Sequence, residues 1–412
     1  MLNWSNQFNI CCFLDNNNYA SIYHQNEAIL AADALDTLSC NAGNAFPSLL
    51  QYHNTHRDWL FGHLAYDLKN EVFPGLYSDN KDGIGWADLF FFRPRIVMLL
   101  RNNEVQIGGW EMDEAAAHNI YRECLAAKAE KVQQMPAGKV QAHLDKQQYI
   151  NAVSSLQEHI HRGDCYEVNF CRENFIEDAI VHPLSLFKRL NKVSPSPFAA
   201  YYRTNDLYMA CSSPERFMQK KGPVVISQPI KGTIRRGETP AADDERRREL
   251  QQNSKERAEN VMVVDLVRND LSHTATRGSV HVAELFGIYS FAQVHHMIST
   301  VTATLEEGVS FTDVISQAFP MGSMTGAPKL SVMQLIEQYE QSRRGLFSGA
   351  LGYITPEGDF DFNVVIRSIL YNAARKYLSF QTGSAITYYA DPVKEWEECL
   401  LKAEAMKNIL EG

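Results

Sequence analysis

Apolar positions recur along this chain at two different periods. Short apolar or alternating runs predict strands at Leu89–Leu100, Asp206–Cys211, Val224–Ile230, Gly349–Ile354, Phe362–Leu370 and Tyr377–Gln381. Helical spacing predicts helices over 113–134, from Asp145 onward, over 241–271 as one long element, and over 392–410. Pro240 opens the third at a favourable first-turn position, and Asp391 with Pro392 gives the last an N-cap and a first-turn proline. The Ala- and Glu-rich run ends at Met135-Pro136-Ala137-Gly138. That predicts an N-terminal portion of residues 1–140 and a second portion of 141–412, packed as one globular unit. Strands clustered between long helices predict an α+β arrangement, not a βαβ alternation.

Composition removes several function classes. Charged residues make up 21% and the formal net charge is −10, which suits a globular protein and disfavours nucleic-acid binding. The densest basic run, Arg246-Arg247-Arg248, is flanked by Asp244, Glu245 and Glu249 and reads as a solvated helix face with i,i+4 pairs. The most apolar window, Leu89–Leu100, is broken by Arg93, Pro94 and Arg95; it is too short for a membrane span and reads as a core strand. Eight scattered cysteines form no Cys-x-x-Cys pair and no zinc spacing, and no signal peptide is read, so a cytoplasmic location is expected. Without a Gly-x-Gly-x-x-Gly or a Walker loop, nucleotide-binding folds are disfavoured.

Two helical segments carry spaced carboxylates. Glu395, Glu398 and Lys402 fall at i, i+3 and i+7, on one face beside an apolar stripe of Trp396, Cys399, Leu400, Ala403 and Met406. This reads either as a surface helix with a Glu398–Lys402 pair or as part of a site. Glu256 and Glu259 lie at i,i+3 before the apolar run Val261–Val267, which predicts a buried helix. Asp265, Arg268 and Asp270 suit a structural ion network. For Glu259 a hard cation such as Mg²⁺ competes with that reading, because Mg²⁺ takes one or two carboxylates, waters and an anionic substrate.

Four further segments are shaped for anion recognition. Ser212-Ser213-Pro214-Glu215 places a carboxyl at a strand mouth. Pro229-Ile230-Lys231-Gly232-Thr233 places a lysine beside a glycine at a strand end. Gly322-Ser323-Met324-Thr325-Gly326 is a glycine-rich turn before a helix, and Tyr353, Arg367 and Gly383-Ser384 fall on late strands. An arginine within Val364-Val365-Ile366-Arg367 is costly to bury without a carboxylate partner.

In this order, these segments resemble the chorismate-binding enzymes: anthranilate synthase large subunits, aminodeoxychorismate synthase component I, and isochorismate and salicylate synthases. The likeness runs from about Gln148 to Met406 and includes Gly163–Asn169, Ala258-Glu259-Asn260, His296–Ser299, Thr325–Lys329 and Gly349–Ile354. In the N-terminal portion, Gly62–Leu68 resembles the family's Gly-x-x-x-Tyr-Asp segment. The resemblance implies a large mixed α/β sandwich with an antiparallel core flanked by helices. It implies Mg²⁺ held by Glu259 and Glu398, with Glu256 and Glu395 completing the shell. Arg367, Tyr353 and Gly383, with Ser384, would take the pyruvyl carboxylate. Gly232, Thr233, His296, Ser323 and Lys402 would contact substrate or water, and Glu215 would protonate the departing 4-hydroxyl.

Lys231 is similar to the lysine of the aminodeoxychorismate branch, where anthranilate, isochorismate and salicylate synthases usually carry Ala. The resemblance implies that it attacks C2 of chorismate before ammonia enters at C4, which requires a neutral amine; Arg235 and Arg236 are candidates for lowering its pKa. Glu167 stands where water-adding members carry a Lys base and ammonia users usually carry Gln, so it argues against isochorismate synthesis. Ala385 replaces the usual second glycine of the carboxylate loop. The expected partner is a separate glutamine amidotransferase subunit, and pyruvate release is expected to fall to another protein. The alternatives are an anthranilate synthase component I and a non-catalytic chorismate-binding homologue.

Overall fold

The computed structural model describes residues 1–19, 22–128 and 138–411. The expected boundary at Met135–Ala137, and the end of the helix expected to reach Gln134, lie outside them; the described helix is Glu114–Ala126. Among the described residues nineteen strands form one continuous hydrogen-bonded system, and every strand pairing is antiparallel. Strands from the first 140 residues pair directly with later ones. Ile10–Asp15 lies beside Phe198–Thr204, and Leu60–Leu64 lies beside Ala350–Ile354.

Alternation along the strands explains the layers. Cys12, Ile29, Ala31, Ala200, Tyr202, Met209 and Cys211 point into a core made of strands and loops, with Phe61, Trp86, Phe92 and Leu351. Their neighbours Cys11, Leu30, Tyr201 and Ala210 face the opposite way, against the helices Pro183–Val193 and Pro392–Glu411. Successive strand side chains alternate between faces, so one segment serves both layers. A third core packs the helices Ala45–His56, Ser254–Ser272 and Phe311–Ala318 on the remaining sheet. The α+β sandwich with an antiparallel core is therefore the observed fold.

The strand predicted through Arg93-Pro94-Arg95 is present as Leu89–Arg101. It tolerates its charges because the partner strand bulges between Ala34 and Asp36, and Arg93 and Arg95 pair with Asp36 and Asp33. Among the described residues no helix is long and apolar enough to cross a membrane.

Three sequence expectations are corrected. The helix expected over 241–271 is two helices, Pro240–Gln252 and Ser254–Ser272. Asn253 divides them: its Oδ1 accepts from the backbone N–H groups of Lys255 and Glu256 and starts the second helix afresh. Asn253→Ala is expected to lower stability by about 1 kcal/mol, read from thermal or urea unfolding. The second helix is not buried all round; it buries Val263, Val264, Val267 and Leu271 but exposes Val261, Asp265 and Arg268. The strand expected over Phe362–Leu370 breaks after Val364 and resumes at Ser368, with Arg367 in the break at φ 52°.

Smaller departures concern charge pairs. Arg246 and Arg247 pair at i,i+3 with Glu249 and Asp244. Arg268 does pair with Asp265, but Asp270 turns inward to Lys329.

Candidate active site

Two helices and three strands bring the charged groups together. The central helix Ser254–Ser272 carries Glu256 and Glu259 over the strand Ile230–Arg235. The C-terminal helix Pro392–Glu411 carries Glu395, Glu398 and Lys402 over the strand Tyr377–Ile386. That strand pairs in turn with the fully buried strand Glu167–Ile176.

Lys231 lies at the centre. Its side chain is 10% exposed and its Nζ donates to Glu167, whose side chain is 2% exposed. The expected neutral amine is not what the surroundings favour. Burial acts to lower the Lys231 pKa, but the negative charges of Glu167, Glu259 and Glu398 outweigh it and the pKa is raised. Arg235 and Arg236 do not assist: the first turns outward to Glu404, the second to Asp243. Behind the lysine, Asn260 reaches its carbonyl and is itself held by the Ser299 hydroxyl at 2.6 Å.

Gly232 follows at φ 94°, a conformation that favours glycine. A Cβ there would stand 3.1 Å from Glu256 Oε2 and 3.2 Å from Met297 Cβ, so the glycine also makes room for the carboxylate. Thr233 Oγ1 meets His296 Nδ1 at 2.8 Å. Burial, with Arg367 nearby, depresses the His296 pKa to about 3, so the imidazole is neutral.

Glu215 is buried and accepts a hydrogen bond from Ser323 Oγ at 2.6 Å. Burial pushes its pKa up to about 7 against the opposing pull of Ser323, the Ile230 backbone and Lys231. A carboxyl of this kind holds a proton near neutrality and releases it easily. The glycine-rich turn is not an open anion cradle. Its Gly326-Ala327 pair with Val168 and Glu167, and Asn169 fixes the Ser323 carbonyl.

The four helix carboxylates are unequal. Burial raises Glu259 to about 7, with Lys231 opposing and Glu167 and Glu256 adding. Burial also raises Glu256 and Glu395, and the Glu398 charge adds to both. For Glu398 burial acts upward too, but the Lys402 ammonium at 2.7 Å outweighs it and holds the carboxyl low. Lys402 also donates to the Gly383 carbonyl at 2.9 Å. Ser384 bonds Tyr149 at 3.0 Å and Glu395. Glu395 is thus on the buried face of its helix, while Leu400, expected in the apolar stripe, is exposed.

Among the described residues no three His, Cys, Asp or Glu side chains are arranged to hold a metal ion unaided. The chemistry of the donor set nevertheless fits a hard dication. All donors are oxygens, they come from facing helices, and their mutual charge is only partly offset by lysines. Mg²⁺ needs only one or two of them when an anionic ligand supplies the rest.

Arg367 lines an open cavity of about 370 Å³ with His296, Ser212 and Pro214. Among the described residues no hydrogen bond or ion pair reaches its guanidinium; burial lowers its pKa and Glu398 is the charge that opposes this. The carboxylate partner expected for it is not supplied among the described residues.

Tyr353 is not brought to this group. Its ring packs against Trp59 and Phe61 in the strand core, and it lines a separate cavity beside Asp361 and Phe198. It sits on the other side of the sheet from its expected position, because side chains on a strand alternate between faces. The other expected residues do gather here. Asn260, Ser299 and Tyr149 are the positioning groups that spacing alone did not single out.

Comparison with known proteins agrees with this fold. A family model described as chorismate binding enzyme matches residues 9–408. Aminodeoxychorismate synthase component 1 of Bacillus subtilis is 38% identical over 67% of this chain and 58% of its own length. Anthranilate synthase component 1 of Thermus thermophilus is 32% identical over 85% of this chain and 77% of its own length. The crystal structure of anthranilate synthase component I from Streptococcus pneumoniae superposes with a TM-score of 0.81, covering 94% of this chain and 93% of that one at 23% identity. The chain belongs to the chorismate-binding enzyme family. Its match spans little more than half of the Bacillus subtilis relative.

Proposed function

We propose that this chain is the chorismate-aminating component I of an aminodeoxychorismate synthase. It would convert chorismate and ammonia to 4-amino-4-deoxychorismate and water, on the way to 4-aminobenzoate and folate. The observation that carries this reading is Lys231, a buried amine within charge reach of both carboxylate helices and of the acid Glu215.

Arg367, with no carboxylate partner among the described residues, binds the pyruvyl carboxylate. Gly383 and Ser384 shape that end, fixed by Lys402 and Tyr149. Gly232, Thr233 and neutral His296 line the ring. Glu259 and Glu398 would hold Mg²⁺, with Glu256 and Glu395 as further donors. When bound, Mg²⁺ supplies positive charge for the ring carboxylate. Glu215 gives its proton to the leaving 4-hydroxyl while Lys231 attacks C2. Ammonia then attacks C4 and expels the lysine. A glutamine amidotransferase subunit is the proposed source of that ammonia. Glu167 carries no amine to activate water, which disfavours isochorismate synthesis.

The Thermus thermophilus relative covers more of the chain than the Bacillus subtilis one, which supports anthranilate synthesis as the second reading. A non-catalytic homologue would be expected to lack the general acid or metal carboxylates, and Glu215, Glu259 and Glu398 are all present. Product analysis with chorismate, Mg²⁺ and ammonium separates the three. 4-Amino-4-deoxychorismate is expected; anthranilate, or no turnover, overturns the proposal. Without ammonia, intact-mass and peptide mapping should find chorismate-derived mass on Lys231. If no adduct forms and Lys231→Ala retains full activity, Lys231 is not the nucleophile.

A further inference from the structure

Lys231 Nζ and the Glu167 carboxylate form a buried ion pair, and that geometry identifies the group that can free the amine. We infer that Glu167 is a catalytic residue: it takes the proton from Lys231 Nζ as the amine attacks and returns it as the amine leaves. This inference rests on the proposed aminodeoxychorismate reading.

The placement is specific. Glu167 opens the buried strand Glu167–Ile176, and its carboxylate contacts the reacting nitrogen directly. Gly326 crosses so close that a Cβ there would stand 2.0 Å from the Glu167 carbonyl, which fixes the backbone from which the carboxylate projects. The other charged groups facing the lysine are committed elsewhere. Glu215 is bound by Ser323, Glu398 is bound by Lys402, and Glu259 pairs with Lys255 at 3.7 Å. Glu256 is the further charged group coupled to the lysine.

The protons balance. Lys231 ammonium and Glu167 carboxylate become amine and carboxylic acid. The amine bonds to C2, both ring double bonds shift around the ring toward C4, and the C4–O bond breaks as Glu215 supplies its proton, giving water. Ammonia bonds to C4, both double bonds shift back, and the C2–N bond breaks. The released amine recovers its proton from Glu167, and the new C4 ammonium restores the proton to Glu215.

This arrangement has a pH signature. The amine–carboxylic acid pair contains the same number of protons as the resting ion pair, so its population is independent of pH. With Gln at position 167 the amine must lose its proton to solvent, and its population then rises with pH. Titration of Glu215 and of ammonium affects both proteins and cancels in their ratio.

The test is kcat/KM of wild type, Glu167→Gln and Glu167→Asp, with chorismate, Mg²⁺ and ammonium. The wild-type to Glu167→Gln ratio should fall as pH rises, by up to about tenfold per pH unit. Glu167→Asp, which keeps a carboxylate, should give a ratio independent of pH. A pH-independent ratio for Glu167→Gln, with the Lys231 adduct still trapped, overturns the role of Glu167 alone. Absence of the adduct in wild type overturns the nucleophile reading instead.

Discussion

Replacing Glu215 with Gln is expected to lower kcat for the proposed chorismate amination by about 10²–10⁴-fold. The amide fills the same space and still accepts from Ser323, so the pocket keeps its shape. It cannot supply a proton to the departing hydroxyl. In the wild type that proton is present below a pKa of about 7 and is lost as pH rises through it. The wild-type rate should therefore decline on the alkaline side, and that decline should vanish from the residual activity of the variant. Chorismate affinity should change little, because Glu215 acts on a bond that breaks only in the transition state. An unchanged kcat in steady-state assays would remove Glu215 from the acid role.

Glu259→Gln is expected to abolish Mg²⁺-dependent chorismate binding in calorimetry. A neutral amide is a poor ligand for a hard cation, and one of the two proposed ligands is lost. The same change should stabilise the metal-free protein. The folded-state pKa of Glu259, about 7, lies above its ordinary 4.5, mainly through burial. An ionised Glu259 therefore costs stability, increasingly as pH rises from 4.5 to about 7, and the cost is absent below that window. Thermal unfolding in chelator at pH 8 should show a higher Tm for Glu259→Gln, with no difference near pH 4. Unchanged Mg²⁺-dependent binding, or a lower Tm at pH 8, would contradict this assignment.

Local pattern carried much of the fold. Glu256 with Glu259, and Glu395 with Glu398, share helix faces because the helical repeat requires it, and Lys402 reaches Glu398 for the same reason. Motif order then named the family. What pattern could not convey was tertiary. Asn253 is an ordinary polar residue in a helical run until its side chain caps the next helix. Arg367 was placed on a strand because its neighbours are apolar, yet the backbone turns there. Tyr353 lies in the right segment but on the opposite face of the sheet, which the strand repeat alone does not orient. Sequence proximity favours Arg235 and Arg236 as neighbours of Lys231, whereas Glu167, Glu259 and Glu398 are close in space and raise its pKa.

The wide separation of paired strands also bears on how the site comes into being. Ile10–Asp15 must wait for Phe198–Thr204, and Leu60–Leu64 for Ala350–Ile354. Glu395, Glu398 and Lys402 belong to the last helix described. During synthesis, a ribosome-bound chain exposing only its first 390 residues would own Lys231 and Glu215 but no opposing carboxylate helix. Closing such distant pairs is slow compared with local contacts. The proposed chorismate recognition should therefore arise late in the life of the nascent polypeptide, as a property of the assembled sheet and not of any fragment that precedes it.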